Sequence, residues 1–286
     1  MNSVAGLLRQ ARECLADSDQ ASDSVALDAE LLLCHVLGKS RSFIFTWPEK
    51  EVEESDRTHF FQLIEQRQQG QPVAYLLGCR EFYGHDFLLS SDTLIPRPDT
   101  EILVDLLLEK LSADAPVRLL DLGSGTGAIA ISAALARPHW QVLAVDYLAS
   151  VLDLLERNVQ RLGASNVTPI QSNWYAQLQG RFDAIVSNPP YIRADDVHLN
   201  RGDVRFEPRS ALVAGADGLD DIRLIVSGAK ERLTNNGLLA LEHGYDQAEA
   251  VRALLLDAGF DQVETRRDLA DNERVTFAFL GASNAQ

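Results

Sequence analysis

Four consecutive residues, Asn188-Pro189-Pro190-Tyr191, have the types and spacing to hold a planar nitrogen group. They follow an apolar, β-branched run, and because proline cannot donate to a strand ladder, the strand must end at Ser187 or Asn188. The Asn188 side-chain oxygen and the Pro189 carbonyl could both accept hydrogen bonds from an NH2 group, while the Tyr191 ring stacks on its plane. An amide nitrogen is a poor nucleophile, so two fixed acceptors would orient it toward an electrophile.

A glycine-rich motif, DLGSGTG, supplies a candidate cofactor site where a strand turns into a helix. Its candidate cofactor-binding residues are Asp121, Gly123, Ser124, Gly125, Thr126 and Gly127. Glycines let a ligand approach bare backbone, but Gly123, Gly125 and Ala128 also satisfy the dinucleotide pattern, which leaves a nicotinamide or flavin oxidoreductase open. Asp146 ends the next strand-like run, where its carboxylate could accept both hydroxyls of a ribose. NAD and S-adenosylmethionine both carry that ribose, and only the NPPY motif separates them, because hydride transfer has no use for it.

The elements that would position both motifs alternate along the second part of the chain. Strand-like runs at 117–122, 142–146, 167–171, 182–187 and 238–242 are separated by amphipathic helical stretches. This alternation predicts an α/β fold with a doubly wound, mostly parallel sheet. The last two runs, 262–265 and 274–280, have only a polar segment between them, which predicts a closing antiparallel pair.

The first part of the chain has a different pattern. Apolar residues recur at helical spacing up to Gly70, which predicts a helical domain over residues 1–72. A stretch rich in glycine and aromatic residues, 73–98, predicts a hairpin-like connector, and 99–286 is the predicted cofactor-binding domain. A helix should restart there with Asp99 or Thr100 as its N-cap.

Composition excludes several other classes. The net charge of −16 disfavours direct binding to nucleic acid, whose phosphates repel acidic proteins. No apolar run approaches the roughly 20 residues that cross a bilayer, so we expect no membrane partner and a cytoplasmic location. Three widely spaced cysteines and six scattered histidines match no disulfide framework or metal spacing, so no metal site is predicted.

Taken together, DLGSGTG, Asp146 and NPPY resemble the class I methyltransferases that use S-adenosylmethionine to modify planar nitrogens. Over nearly the whole chain, LIPRPDTE, SNPPYI, GDVRFEP, LEHG and DNERV are similar to motifs of the release-factor glutamine methyltransferase (HemK/PrmC) family. The resemblance implies a Rossmann-like domain with a seven-stranded, mostly parallel sheet and an antiparallel closing strand, preceded by a small helical bundle that recognises the substrate. The implied substrate is the glutamine of the Gly-Gly-Gln motif in class 1 peptide chain release factors, methylated on N5.

The resemblance also implies roles for individual residues. Gly123 to Gly127 would line the methionine and ribose part of the cofactor, Asp146 would hold the ribose hydroxyls, and Trp174 would pack on the adenine. Asn188 to Tyr191 would hold the substrate amide. The chain has Asn173 where the family often has Asp, which would weaken an acceptor for the adenine amine.

Some alternatives stay open. The same chemistry could act on a glutamine of a ribosomal protein or on adenine in DNA, and the chain could be a non-catalytic module that binds the cofactor. Four charged residues near the motifs, Arg97, Glu101, Arg205 and Glu207, are candidates for function or for surface ion pairs. For the RFEP segment, which contains Arg205 and Glu207, we hypothesise a role in positioning the Gly-Gly-Gln loop.

Overall fold

The chain forms two compact units in a computed structural model that describes residues 2–16 and 24–281. The first unit comprises Met1–Cys79 together with Val197–Phe206. The second comprises Arg80–Asp196 and Glu207–Gln286. Nothing in the sequence pattern predicts that the short segment Val197–Phe206 belongs to the first unit.

The first unit is helical, as its periodicity predicts. Its helices are α1 (Val4–Ala16), α2 (Val25–Leu37), α3 (Arg41–Thr46), α4 (Glu54–Gln68) and α5 (Val73–Leu77). Apolar residues of α1, α2 and α4 meet in one core, which includes Leu7, Leu32 and Phe60 with no exposed surface. Because α2 ends at Gly38 in the left-handed conformation, the glycine following the periodic run terminates the helix as expected.

A buried arginine ties the inserted segment to the helices within this unit. The Arg67 guanidinium donates to Asp28 at 2.8 Å and to Asp203 at 2.9 Å, and it also donates to the carbonyl of Gln71 at 3.0 Å. Such a buried charge is tolerated because both acids and a carbonyl satisfy its donors.

The second unit contains a two-stranded sheet and a seven-stranded sheet. The strands are β1 (Cys79–Phe82), β2 (His85–Leu88), β3 (Arg118–Leu122), β4 (Gln141–Asp146), β5 (Val167–Gln171), β6 (Phe182–Ser187), β7 (Leu233–Glu242), β8 (Phe260–Arg267) and β9 (Glu273–Leu280). Strands β1 and β2 form the small sheet, and the large sheet has the order β5-β4-β3-β6-β7-β9-β8. The predicted strand end at Ser187 is confirmed.

The predicted fold class is confirmed by the strand directions. Strands β3 to β7 pair in parallel, and β9 is antiparallel to both β7 and β8. The last strand of the chain therefore inserts between β7 and β8, a position that strand periodicity does not specify.

Helices cover both faces of the large sheet. They are α6 (Glu101–Lys110), α7 (Ala128–Ala136), α8 (Ala149–Leu162), α9 (Asp220–Arg232) and α10 (Ala248–Asp257). Successive residues of the central strands belong to opposite cores: Leu119 packs with α6 and α7, and Leu120 packs with α9 and α10. Burial on both faces explains why these strands are nearly continuous apolar runs.

The start of α6 has the predicted N-cap residue but no side-chain cap. A 3-10 turn over Pro98–Thr100 precedes the helix, and neither Asp99 nor Thr100 caps it through its side chain. Thr100 occupies the N-cap position as predicted, but its hydroxyl accepts a hydrogen bond from Asn188 and makes no capping bond to the helix backbone. The Thr100 side chain therefore contacts a residue 88 positions away in the sequence instead of the backbone of its own helix.

Candidate active site

The loop between β3 and α7 depends on glycine for its conformation. Gly123 and Gly127 have φ angles of 69° and 84°. A Cβ atom on Gly127 would lie 2.3 Å from Leu155 Cδ1 and 2.8 Å from Ile131 Cδ1. The third glycine of the motif therefore permits close packing of α7 against α8, while the earlier ones leave backbone open to a ligand.

The glycine loop also orients Asp146 at the end of β4. Asp146 Oδ2 accepts from the Gly125 N–H at 3.0 Å, and Oδ1 accepts from the Leu148 N–H at 3.2 Å. Burial raises the pKa of Asp146, although these backbone donors oppose the shift. Since each carboxylate oxygen can accept more than one hydrogen bond, Asp146 retains capacity for the two hydroxyls of a ribose.

Asp121, the first residue of the motif, is fully buried at the end of β3. Its Oδ2 accepts from the Ala130 N–H at 3.2 Å, whereas Oδ1 has no hydrogen-bond partner among the residues that the structure describes. Burial raises the pKa of Asp121 to about 7, and the nearby Asp146 charge adds to the increase. Asp121 therefore contacts the start of the following helix, through the Ala130 N–H.

A cavity of about 410 Å³ lies in the second unit and contains most of the predicted site residues in its wall. The predicted residues that line it are Gly123, Ser124, Gly125, Thr126, Asp146, Trp174, Asn188 and Pro190. Four further predicted residues, Asp121, Gly127, Pro189 and Tyr191, lie outside the lining. The two motifs therefore meet at one cavity, at the carboxyl ends of parallel strands, as the rule for α/β sheets requires.

Trp174 lies close to the glycine loop. Its ring atom Cζ3 is 3.6 Å from the position that a Cβ on Gly123 would occupy. Trp174 itself has a φ of 47°, and its carbonyl accepts from the Ser172 hydroxyl at 2.8 Å. The exposed Asn173 also lines the cavity, so the position that departs from the family pattern faces the same space.

Asn188 presents an oriented amide. Its Nδ2 donates to Thr100 Oγ1 at 3.1 Å. Over residues 2–16 and 24–281, neither Asn188 Oδ1 nor the Pro189 carbonyl has a hydrogen-bond partner. Asn188 lines the cavity, whereas the adjacent Pro189 is buried and lies outside the lining.

Tyr191 is held at both ends. Its hydroxyl donates to Glu242 Oε1 at 3.2 Å, and its carbonyl accepts from Gln247 Nε2 at 2.9 Å. A Cβ atom on Gly218 would lie only 2.2 Å from this carbonyl, so glycine is required there. Burial raises the pKa of Tyr191, and the Glu242 charge raises it further. These contacts fix the loop from behind the cavity.

The residues behind the loop were missed by the sequence reasoning. Thr100, Glu242 and Gln247 are all buried, and Glu242 is only 1% exposed. Burial raises the pKa of Glu242 to about 7, against the lowering effects of the Thr100 hydroxyl, Arg274 and Tyr191. Thr100 lies within LIPRPDTE and Glu242 within LEHG, so both residues belong to motifs that carry the family resemblance. The contacts of these residues with the NPPY loop could not be predicted from the motifs.

An ion pair closes another side of the cavity. Glu207 is 4% exposed, pairs with Arg97, and accepts from the Ile95 N–H at 3.2 Å. Arg97 lines the cavity. Arg205 belongs to the first unit, where it donates to the Gln69 carbonyl at 3.0 Å. Glu207 is thus a buried positioning group for the segment that carries Arg97.

Neither a metal cluster nor a membrane-spanning helix occurs within the described residues, 2–16 and 24–281. No three histidine, cysteine or acidic side chains among them are arranged to hold a metal ion. The helices of the same residues are all too short or too polar to span a bilayer.

Comparison with known proteins identifies two family models in the chain. Residues 6–78 match a model described as the PrmC N-terminal domain. Residues 100–205 match one described as the methyltransferase small domain. The second match includes both the glycine loop and the NPPY motif.

Relatives of similar length align along almost the whole chain. A release factor glutamine methyltransferase of Pseudomonas aeruginosa is 52% identical over 277 residues, covering 96% of this chain and 98% of the relative. The Escherichia coli release factor glutamine methyltransferase is 47% identical over 258 residues, covering 90% and 93%. A solved methyltransferase of Pyrococcus furiosus, 18% identical, aligns with a TM-score of 0.54 over 76% of this chain and 97% of that one, which supports the fold alone. On the strength of the two close relatives, the chain belongs to the release factor glutamine methyltransferase family.

Proposed function

We propose that the protein transfers a methyl group from S-adenosylmethionine to the side-chain amide nitrogen of the glutamine in the Gly-Gly-Gln motif of class 1 peptide chain release factors. The observation that carries this proposal is Asn188, which lines the cavity together with the glycine loop and whose Oδ1 has no hydrogen-bond partner in the described structure. The carbonyl of Pro189, the next residue, is likewise without a partner there. A glutamine NH2 group has two donors, and two acceptors suit it. The names of the relatives support the same substrate.

The residues around the cavity fit the proposed cofactor. Asp146 lines the cavity and has acceptor capacity for ribose hydroxyls. Trp174 lines the cavity with a flat apolar surface suited to an adenine ring. When bound, S-adenosylmethionine supplies an electrophilic methyl group on a positively charged sulfur.

The chain contributes orientation. Asn188 and Pro189 would accept hydrogen bonds from both N–H groups, which favours a pyramidal nitrogen whose lone pair is less delocalised into the carbonyl and points along the line of displacement. The two prolines keep these acceptors in place at little entropic cost. No base is required before attack, because the nitrogen loses its proton only after it has gained the methyl group and become cationic.

The proposed partner is a protein, and the proposed place of reaction is the cytoplasm. The acidic surface, with a net charge of −16, opposes approach to a nucleic-acid backbone. A glutamine side chain in an exposed loop needs neither strand separation nor base flipping to reach the cavity.

The proposal is tested by transfer of labelled methyl groups to purified release factor. Parallel reactions contain a release factor with the Gly-Gly-Gln glutamine changed to alanine, ribosomal protein, and duplex DNA. We expect label on the intact release factor and none on the altered one. Label on DNA or ribosomal protein instead would overturn the substrate, and binding of NADH in place of S-adenosylmethionine would overturn the cofactor.

A further inference from the structure

Asn158 of α8 has no exposed surface and lies outside the cavity lining. Its Nδ2 donates to the Thr126 carbonyl at 2.9 Å and to the Leu88 carbonyl at 3.1 Å, while its Oδ1 accepts from the Leu88 N–H at 2.8 Å. Both amide donors are therefore used. The exchange of oxygen and nitrogen would place an acceptor against two carbonyls, so the partners determine the orientation of the side chain.

The first partner of Asn158 belongs to the glycine loop. Thr126 is buried and lines the cavity. The two residues before it are anchored to β4, because Ser124 and Gly125 donate their N–H groups to that strand at 2.9 Å and 3.0 Å. At Thr126 the contact passes to α8 through Asn158. The loop is thus held by the sheet on one side and by a helix on the other.

The second partner, Leu88, precedes another segment of the cavity wall. Leu88 is the last residue of β2, and residues 89–97 after it form neither helix nor strand. Ser150, also on α8, donates to Asp92 within this segment at 2.7 Å. Five residues of the segment line the cavity: Asp92, Thr93, Leu94, Pro96 and Arg97. One buried side chain therefore joins the base of this segment to the glycine loop.

We propose that Asn158 is a positioning residue that fixes the glycine loop relative to segment 89–97 and so preforms the cavity for S-adenosylmethionine. This inference rests on the proposed function, which supplies the cofactor. Three glycines of the loop, Gly123, Gly125 and Gly127, have positive φ angles, and glycine loses more conformational freedom on ordering than any other residue. An anchor that orders the loop in the free protein removes this cost from cofactor binding.

The contacts of Asn158 also determine which measured quantity should change. Without its side chain, the Leu88 N–H and the Thr126 carbonyl each lose a partner in the protein interior, which favours loop conformations in which these groups find other partners. None of the three bonds of Asn158 involves the NPPY motif. The loss of Asn158 should therefore weaken cofactor binding and leave the orientation of the substrate amide unchanged.

The test compares variants of the full-length protein. Asn158→Ala removes all three hydrogen bonds, and Asn158→Ser is a milder change that keeps one hydroxyl group. Asn166→Ala is the matched control, because Asn166 Nδ2 also donates to three backbone carbonyls, but these lie at the far end of α7 and outside the cavity lining: Ala134, Arg137 and Trp140. For each variant we would measure the Kd for S-adenosylmethionine by calorimetry, kcat with release factor at saturating cofactor, and Tm.

We expect Asn158→Ala to raise the cofactor Kd about tenfold, with kcat at saturating cofactor within about twofold of wild type. Asn158→Ser should raise the Kd by a smaller factor. Both Asn158→Ala and Asn166→Ala should lower Tm, because each removes hydrogen bonds to backbone carbonyls. Only the changes at Asn158 should alter the Kd, which a merely structural role would not produce.

Several results would overturn the proposal. An unchanged Kd in Asn158→Ala, or an equal rise in Asn166→Ala, would leave Asn158 with a role in stability alone. A fall in kcat that persists at saturating cofactor would show that Asn158 acts on the substrate side instead. If Asn158→Ala does not fold, the Kd of Asn158→Ser decides between the two roles.

Failure of the proposed function would give a different result. A wild-type protein that binds S-adenosylmethionine but transfers no methyl group to release factor would refute the proposed reaction, while the Kd comparison would still decide the role of Asn158. A wild-type protein that does not bind S-adenosylmethionine would refute both.

Discussion

The cavity lies at the carboxyl ends of the parallel strands of the large sheet, and the two halves of this edge, at β3–β4 and at β6–β7, are built in different ways. On the β3 and β4 side, glycine backbone and one carboxylate, Asp146, form the cavity wall. On the β6 and β7 side, a proline-stiffened loop is held by buried side chains, with Glu242 and Gln247 behind Tyr191. The first half leaves space for a ligand, whereas the second half fixes the direction of polar groups.

This difference indicates that binding a cofactor and orienting a substrate nitrogen place different demands on the protein. Under the proposed function, a large cofactor gains affinity from many contacts, which the surface and the few acceptors of the β3–β4 side would supply. Under the proposed function, a poor nucleophile gains reactivity from the orientation of a single nitrogen, which the two acceptors of the β6–β7 side would hold. Changes on the two sides should therefore alter different measured quantities.

The largest effect is expected from Asn188→Ala, on the β6–β7 side. Loss of its oxygen should lower kcat at least about 100-fold, because the substrate nitrogen is no longer held in a reactive orientation. The Kd for S-adenosylmethionine, measured by calorimetry, should change less than about threefold. If the cofactor Kd rises by as large a factor as kcat falls, the proposed separation of cofactor binding from substrate orientation is contradicted.

Asp146→Ala should have the converse effect. Two hydrogen bonds to a charged acceptor are lost, so the cofactor Kd should rise roughly 10- to 100-fold. Asp146→Asn keeps one oxygen and should have a smaller effect, which makes it the matched comparison. Calorimetric titration of both variants checks this prediction. An unchanged Kd in Asp146→Ala would show that the ribose hydroxyls do not bind to Asp146.

Gly127→Ala tests the packing that shapes the β3–β4 side. An added Cβ would clash with Leu155 and Ile131, so the free energy of unfolding should fall by about 1–3 kcal/mol. Gly163→Ala is the control, because that glycine also has a positive φ of 73° but a Cβ there would meet no described atom within 4 Å. Denaturant unfolding of both should show the larger loss for Gly127→Ala, and equal losses would attribute the effect to backbone strain alone.

The pH dependence of turnover tests the β6–β7 side. Burial raises the pKa of Glu242 to about 7; its charged neighbours are Arg274 and Asp99, and the neutral Tyr191 hydroxyl donates to it. Below that pH the protonated carboxyl is a weaker acceptor for the Tyr191 hydroxyl, which holds the loop, so kcat should fall as the pH is lowered through about 7. Asp121 has a similar pKa, and the ratio of wild-type kcat to that of Glu242→Gln isolates Glu242. This ratio should approach one at low pH, and a constant ratio would contradict the account.

The smallest effect is expected from Asn173→Asp, which restores the residue usual in the family. A carboxylate accepts a hydrogen bond more strongly than an amide oxygen, and Asn173 is exposed at the cavity. The cofactor Kd should fall by about twofold to fivefold, with kcat unchanged. A change in kcat without a change in Kd would mean that position 173 belongs functionally to the substrate side.

Local signals were sufficient to predict much of this structure. Gly123, Asp146 and Asn188 each lie at or directly after the end of a strand, and such positions are defined by short-range turn chemistry and by the parallel sheet. The contacts of Asn188 with Thr100 and of Tyr191 with Glu242 join residues 88 and 51 positions apart, so no local pattern could reveal them. The burial of Glu207 and the insertion of β9 between β7 and β8 are likewise products of tertiary packing.

The most direct test of the division between the two halves is the rate of methyl transfer to release factor at saturating S-adenosylmethionine, compared for Asp146→Ala and Asn188→Ala. We predict that excess cofactor restores Asp146→Ala to within about threefold of the wild-type rate, because only binding was weakened. Asn188→Ala should stay at least about 100-fold slow at any cofactor concentration. Equal recovery of both variants, or recovery of neither, would contradict the separation of binding from orientation along this edge.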